Sequence, residues 1–369
     1  MRSTITAILG ALFAAPALAD APPPAWEGVW RGTVGTLPVM ACLNNNGGEF
    51  SRGSYYYLSR MQPIALNHEK DGSWSENGTG GDKVTGNWTL TPRAGGGLAG
   101  EWRSGARVLP VTLARVDAGN MDDGPCGSEA YLAPRISPVR QVTKPVTKGG
   151  FSYSEITYNV GPHFEGVTIS SFSFPATQPG DRAINAALRL DPAKPADPGN
   201  FTGCMQGALG SSGTDGDFAF SYAPGTVTRN FLSVVVDEGG DCGGAHPDEG
   251  QWQIVFDRQT GRKVDMVSWF TSAAVVPPAK GDIGVELEIG TALRRLLLRH
   301  YRFEDAECRE PVASEGYWSI GIGRGGLAFR PSLPHVAEAC EADAVVPFAA
   351  LTPFLSPAGK QAVARLAVR

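Results

Sequence analysis

Beyond its first nineteen residues the sequence has no apolar run of the roughly 20 residues that a membrane-crossing helix needs. No two cysteines stand close enough together for the Cys-x-x-Cys spacing of structural zinc sites. Neither a Walker loop nor a Gly-x-Ser-x-Gly nucleophile elbow occurs. His68-Glu69 begins like a zincin helix, but glycine stands at position 72 where the second histidine belongs. Basic side chains are in the minority. The 32 Lys and Arg against 37 Asp and Glu leave a net charge of −5, which argues against nucleic acid as a partner.

What the sequence has in abundance is turn-formers. The 47 glycines and 28 prolines make up about a fifth of the 369 residues, while a hydrophobic content of 42% supplies real cores. The combination implies many turns and therefore many strands, and the length implies two or three domains. Residues 1–19 read as a signal peptide: Arg2 gives a positive start, 5–17 is apolar, and Ala17-Leu18-Ala19 precedes Asp20 as a peptidase site. The chain is therefore expected in the periplasm or outside the cell, one unit more acidic once Arg2 is lost. Cys42, Cys126, Cys204, Cys242, Cys308 and Cys340 form an even set behind that leader, which points to disulfides. Sequential pairing (Cys42–Cys126, Cys204–Cys242, Cys308–Cys340) is expected, because it keeps each bridge inside one proposed domain, although spacing alone leaves other pairings open.

Residues 25–133 read as an all-β meander, a small barrel or sandwich. Trp26, Trp30, Trp74, Trp88 and Trp102 fall in short alternating runs, and Gly86-Asn87-Trp88 is echoed by Gly100-Glu101-Trp102. These tryptophans are expected to pack core and rim, and Tyr55-Tyr56-Tyr57 to put rings on both faces of one strand. Residues 134–150 read as a linker: Pro134, Pro138 and Pro145 disfavour regular structure, Arg135, Arg140, Lys144 and Lys148 keep it solvated, and Gly149-Gly150 ends it. Residues 151–369 read as an α+β domain with a mainly antiparallel sheet. Strands are expected over 151–160, 166–174, 218–222, 231–236 and 251–256. Helices are expected over 181–190, over 285–301 with Leu293, Leu296, Leu297 and His300 on one side, and after Ser356-Pro357.

Two segments invite chemistry and fail. Gly321-Ile322-Gly323-Arg324-Gly325-Gly326 has the letters of a dinucleotide fingerprint, but strand-like Leu327-Ala328-Phe329-Arg330-Pro331 follows instead of a helix, so a hairpin turn is expected. Asp117, Asn120, Asp122 and Asp123 lack EF-hand spacing and read as a solvated turn. The stretch 237–249 is more informative, placing glycines, carboxylates and His246 between two strands. Imidazole beside carboxylates suits acid–base work or a divalent metal, whereas Gly243-Gly244 with His246 also makes a simple tight turn. His246, Asp241, Gly243, Gly244 and Asp248 are accordingly candidate binding residues. No catalytic residue, cofactor or metal is assigned.

The stretch 231–270 resembles the RsiV-type C-terminal domain family (DUF3298/DUF4163-like). The residues that carry the likeness are Leu232-Ser233-Val234-Val235-Val236, Gly243-Gly244-Ala245-His246-Pro247, Val255-Phe256-Asp257-Arg258-Gln259-Thr260-Gly261 and Trp269-Phe270. Ile184-Asn185, Gly326-Leu327-Ala328-Phe329 and Val346-Pro347-Phe348-Ala349-Ala350-Leu351 extend it in order. Where the family often has an aromatic-rich Pro-Tyr-Ala-x-Gly, this chain has Pro334-His335-Val336-Ala337-Glu338-Ala339-Cys340, and His335 joins the candidate binding residues. The resemblance implies an exported cell-envelope binding protein without catalysis of its own, recognising a lysozyme-type protein or peptidoglycan. The alternatives it leaves are a peptidoglycan-directed hydrolase or deacylase using His246 with Asp241 or Asp248, and an envelope assembly factor.

Overall fold

The computed structural model describes residues 22–78, 83–119, 123–276 and 287–367, so the proposed leader lies outside the described residues. The first strands are β1 (Gly28–Val34), β2 (Leu37–Asn44), β3 (Arg52–Tyr57), β4 (Ile64–His68), β5 (Trp74–Asn77), β6 (Val84–Pro92), β7 (Gly97–Ser104) and β8 (Arg107–Val116). They pair antiparallel in sequence order, and β1 pairs with β8 to close a barrel. An eight-stranded barrel is wide enough inside for side chains to fill or for one small ligand. Alternate residues here fill it, among them Trp30, Leu43, Tyr55, Leu66, Trp74 and Trp88. One carboxylate shares that interior. Glu76 is buried and accepts hydrogen bonds from the Tyr55 hydroxyl, the Thr85 hydroxyl and the Trp102 indole, each at 2.7 Å. These donors replace the water that a buried carboxylate otherwise needs. The Gly-x-Trp echo follows from the pairing: Trp88 and Trp102 are cross-strand partners, and a Cβ on Gly86 would lie 2.5 Å from the Trp102 Nε1 atom.

On β1–β3 the outward face of the barrel is not left to solvent. Val29, Met40, Cys42 and Tyr56 join a core with Tyr131, Tyr158, Phe164, Phe201, Met205 and Phe220. The connecting elements are α1 (Glu129–Leu132) and a 3-10 turn at Ala133–Arg135, followed by β9 (Arg140–Lys148), β10 (Phe151–Asn159), β11 (Val167–Ser173), α2 (Asp181–Ala187), α3 (Thr202–Ser212), β12 (Asp217–Val227), β13 (Phe231–Asp241) and β14 (Asp248–Asp257). The six strands form one sheet in the order β14-β13-β12-β11-β10-β9, antiparallel except for β11–β12. The α2 and α3 segment makes the crossover between those two parallel strands. Helix α3 rests on the barrel: the Asn44 side-chain amide donates to the Gly210 carbonyl at 2.7 Å, and the Cys126 amide donates to Asn44 Oδ1 at 2.8 Å.

A second sheet holds β15 (Leu287–Glu288), β16 (Tyr317–Gly323), β17 (Gly326–Pro331) and β18 (Ala344–Pro347). It packs with α4 (Thr291–His300) and α7 (Pro357–Ala367) on a core that includes Phe231 and Val255 of the first sheet. Helix α5 (Arg309–Ser314) and α6 (Phe348–Leu351) complete the chain. The Ser356 hydroxyl accepts from the Gly359 amide at 3.1 Å, capping α7 as expected. The three disulfides are Cys42–Cys126, Cys204–Cys242 and Cys308–Cys340. Among the described residues no helix is long and apolar enough to cross a membrane.

Several expectations are corrected. Most of the expected linker is the edge strand β9, joined to β10 through Gly149 and Gly150, both at positive φ. Pro145 is tolerated there because an edge strand has one unpaired side. Arg135, expected to be solvated, has no exposed side-chain surface. It binds Asp215 through both terminal nitrogens and donates to the Met61 and His163 carbonyls. The helix expected over 285–301 covers only Thr291–His300, since 287–288 is strand, and Val285 lies outside the described residues. The helix expected over 181–190 ends at Ala187. Helix α3 has no counterpart in the sequence reading, because its glycines lower helix propensity. One of them earns its place by proximity: a Cβ on Gly207 would lie 2.7 Å from the Cys242 carbonyl oxygen.

Replacing Arg135 removes the cation between barrel and sheet and leaves Asp215 unpaired. Arg135→Met is expected to lower the unfolding free energy by about 3 kcal/mol, measured by urea denaturation. Asp215→Asn is expected to cost at least as much, because it leaves the fully buried Arg135 cation without its counter-charge, whereas Arg135→Met leaves an aspartate that is partly exposed.

Candidate binding site

Strands β13 and β14 run further than the sequence implies. Asp237 to Asp241 and Asp248 to Glu249, read as loop, are paired strand residues, and the turn is confined to 242–247. Two constraints hold that turn. Cys242 is bonded to Cys204 of α3, and the Asp241 carboxylate accepts from the Gly243 amide at 3.0 Å. Gly243 has φ 88°, and a Cβ there would lie 2.0 Å from the Ser211 hydroxyl, so only glycine lets the turn lie against α3. A Cβ on Gly244 would meet only the His246 carbonyl oxygen, at 3.6 Å, an ordinary contact.

The structure brings His246 and His335 together. Their rings stack with centroids 4.2 Å apart and planes 4° from parallel. His246 Nδ1 sits 2.9 Å from the Pro247 carbonyl, and His335 Nδ1 sits 3.1 Å from Glu338. The 3-10 segment His335–Cys340 carries this second histidine and ends in the Cys308–Cys340 bridge. It is tied further by Tyr301, whose hydroxyl donates to the Cys340 carbonyl and accepts from the Ala342 amide at 2.8 Å. Two loops, each held by its own disulfide, therefore meet through their imidazoles.

Beside this contact lies a cleft that the sequence reading did not identify. It has a volume of about 490 Å³, with an adjoining recess of about 350 Å³. Asp217, Asp237, Glu238 and Glu249 come from the first sheet, and Glu338 and Glu341 from the segment beyond β17. Arg330 of β17 is the cation in the lining and is shared between Asp343 at 3.1 Å and Glu341 at 3.9 Å. Asp237 is held by the Ser221 hydroxyl and the Gln251 amide. Gly239, Gly240 and Gly250 keep the floor low. Asp248 lines the recess and faces the charge of Glu238. Burial foremost, and Asp248 second, push the Glu238 carboxyl above the usual glutamate range. Of the acids that build this lining, Asp237, Glu238 and Glu249 were visible in the sequence within the acidic stretch 237–249, whereas Asp217, Glu338 and Glu341 were not. The strand alternation of the first three was hidden by the glycines between them.

Among the described residues no three His, Cys, Asp or Glu side chains converge as a metal-ligand set. Asn120 and Asp122 of the other acidic segment lie outside the described residues.

The fold and the cleft define a β-barrel joined to an α+β body with an acidic groove. No protein-family model matches the sequence, and no curated protein matches it. The chain is structurally similar to a DUF3298 family protein from Pseudomonas aeruginosa PAO1, at 14% identity and a TM-score of 0.34, over 60% of this chain and 96% of that one. It is also similar to a DUF3298 family member from Bacteroides fragilis NCTC 9343, at 12% identity and a TM-score of 0.38, over 63% of this chain and 98% of that one.

A carboxyl whose folded pKa is raised binds its proton more tightly in the native state, so its charge weakens the fold as pH rises through that pKa. Glu238→Gln is therefore expected to raise the melting temperature at about pH 7–8. The gain should begin to shrink as pH falls below the raised pKa and vanish below the ordinary glutamate range, where folded and unfolded chains are both protonated, which thermal melts of both proteins across pH will follow.

Proposed function

We propose that this chain is an exported cell-envelope binding protein that recognises a basic protein surface of the lysozyme type and performs no chemistry of its own. The observation that carries the reading is the acidic cleft, whose lining holds Asp217, Asp237, Glu238, Glu249, Glu338 and Glu341 against one cation, Arg330. Opposite charge across an interface speeds encounter and fixes orientation. Disulfides behind both loops favour the same reading, because a rim held in place before binding loses less entropy on association. Peptidoglycan is the second candidate ligand, but a lining so rich in carboxylates suits a basic protein better. The hydrolase alternative through His246 has less support: one ring nitrogen is directed to the Pro247 carbonyl, and one ring face is covered by His335.

Titration calorimetry of the oxidised protein with lysozyme, beside co-sedimentation with peptidoglycan, tests this reading. Micromolar or tighter binding to lysozyme is expected at low salt, weakening as salt rises. Glu249→Lys with Glu338→Lys is expected to weaken it by about tenfold or more, equivalent to roughly 1.4 kcal/mol. No binding at low salt, or binding indifferent to this charge reversal, would overturn the proposal.

A further inference from the structure

A second cavity lies away from the acidic cleft and has the opposite chemistry. It occupies about 740 Å³ between the β9–β10 turn, the β12–β13 connection and the end of α7. Its aromatic wall is Phe151 and Tyr153, whose half-buried rings stack with centroids 5.9 Å apart and planes 22° from parallel. Val227 and Leu366 add aliphatic surface. Lys148 and Arg229, both exposed, stand at the lining, and neither has a hydrogen-bond or ion-pair partner among the described residues. Arg258 also reaches the cavity, but its charge is matched by Asp181 at 2.7 Å. Among the described residues no carboxylate belongs to the lining. In a chain of net charge −5, a cavity with two unmatched cations and no acid is a marked segregation of charge.

We infer that this cavity binds a small amphiphilic anion: an acyl or aromatic body laid against Phe151, Tyr153, Val227 and Leu366, with its carboxylate or phosphate between Lys148 and Arg229. The volume is that of a pocket for a single small ligand, which falls between roughly 300 and 1,000 Å³. The two cations match an anionic head group, with Arg229 able to present paired N–H donors to it.

Calorimetry of the oxidised full chain with dodecanoate and with dodecyl phosphate, both below micelle formation, tests the inference. Saturable binding near one equivalent is expected, with dodecanol binding about tenfold more weakly. Lys148→Glu with Arg229→Glu is expected to abolish binding of both anions while leaving the melting temperature unchanged, since both side chains are exposed. Tyr153→Ala should weaken all three ligands. Absence of saturable binding, affinity unchanged by the charge reversal, or association with anionic phospholipid vesicles but not with the monomeric anions would each overturn it.

Discussion

Arg135 is the point at which barrel and sheet become one body. Its guanidinium is fully buried, paired to Asp215 and hydrogen-bonded to carbonyls at Met61 and His163, with the Phe164 ring 4.9 Å away. Met61 belongs to the barrel, His163 and Phe164 to the β10–β11 connection, and Asp215 to the segment after α3. A buried cation is tolerable only when its donors are met, so these segments cannot separate without exposing an unpaired charge to an apolar interior. The Cys42–Cys126 bridge and Asn44 reinforce the same junction, and one hydrophobic core runs through it.

From that junction the geometry propagates outward. Helix α3 is held on the barrel, Cys204 in α3 holds Cys242, and Cys242 holds the turn that presents His246. On the other side Cys308 holds Cys340, and the same short segment presents His335 and Glu338. The cleft therefore lies between two rims whose positions are set by covalent bonds and by a shared core: Asp217, Asp237, Glu238 and Glu249 are fixed at strand positions, and Glu338 and Glu341 beside the Cys308–Cys340 bridge. Such fixed charges cost no ordering when a cation arrives, which is the physical basis of the proposed recognition.

The barrel was legible because alternation, turn residues and the tryptophan spacing all point the same way. Tyr55 and Tyr56 do send their rings to opposite faces, one to Glu76 and one to the shared core. The antiparallel sheet and the Gly323–Gly326 hairpin were legible for similar reasons. What stayed hidden depended on tertiary contact. Glycines disguised α3 as a loop, although close approach to the Cys242 carbonyl is what requires one of them. Proline and lysine disguised β9, and the rule that charges stay solvated failed at Arg135, where partners distant in sequence receive the guanidinium. Of the candidate residues, Asp241 and Gly243 shape the turn and His246 meets His335. The acids from β13, β14 and the segment after β17 form a cleft only once two sheets converge, which no local pattern encodes.

The account turns on where the proposed partner sits, and hydrogen exchange of the oxidised chain, alone and with saturating lysozyme, reads that position directly. It predicts slowed exchange over 237–251 and 335–341, with the barrel strands unchanged. Protection confined to the barrel, or no change anywhere, would contradict it.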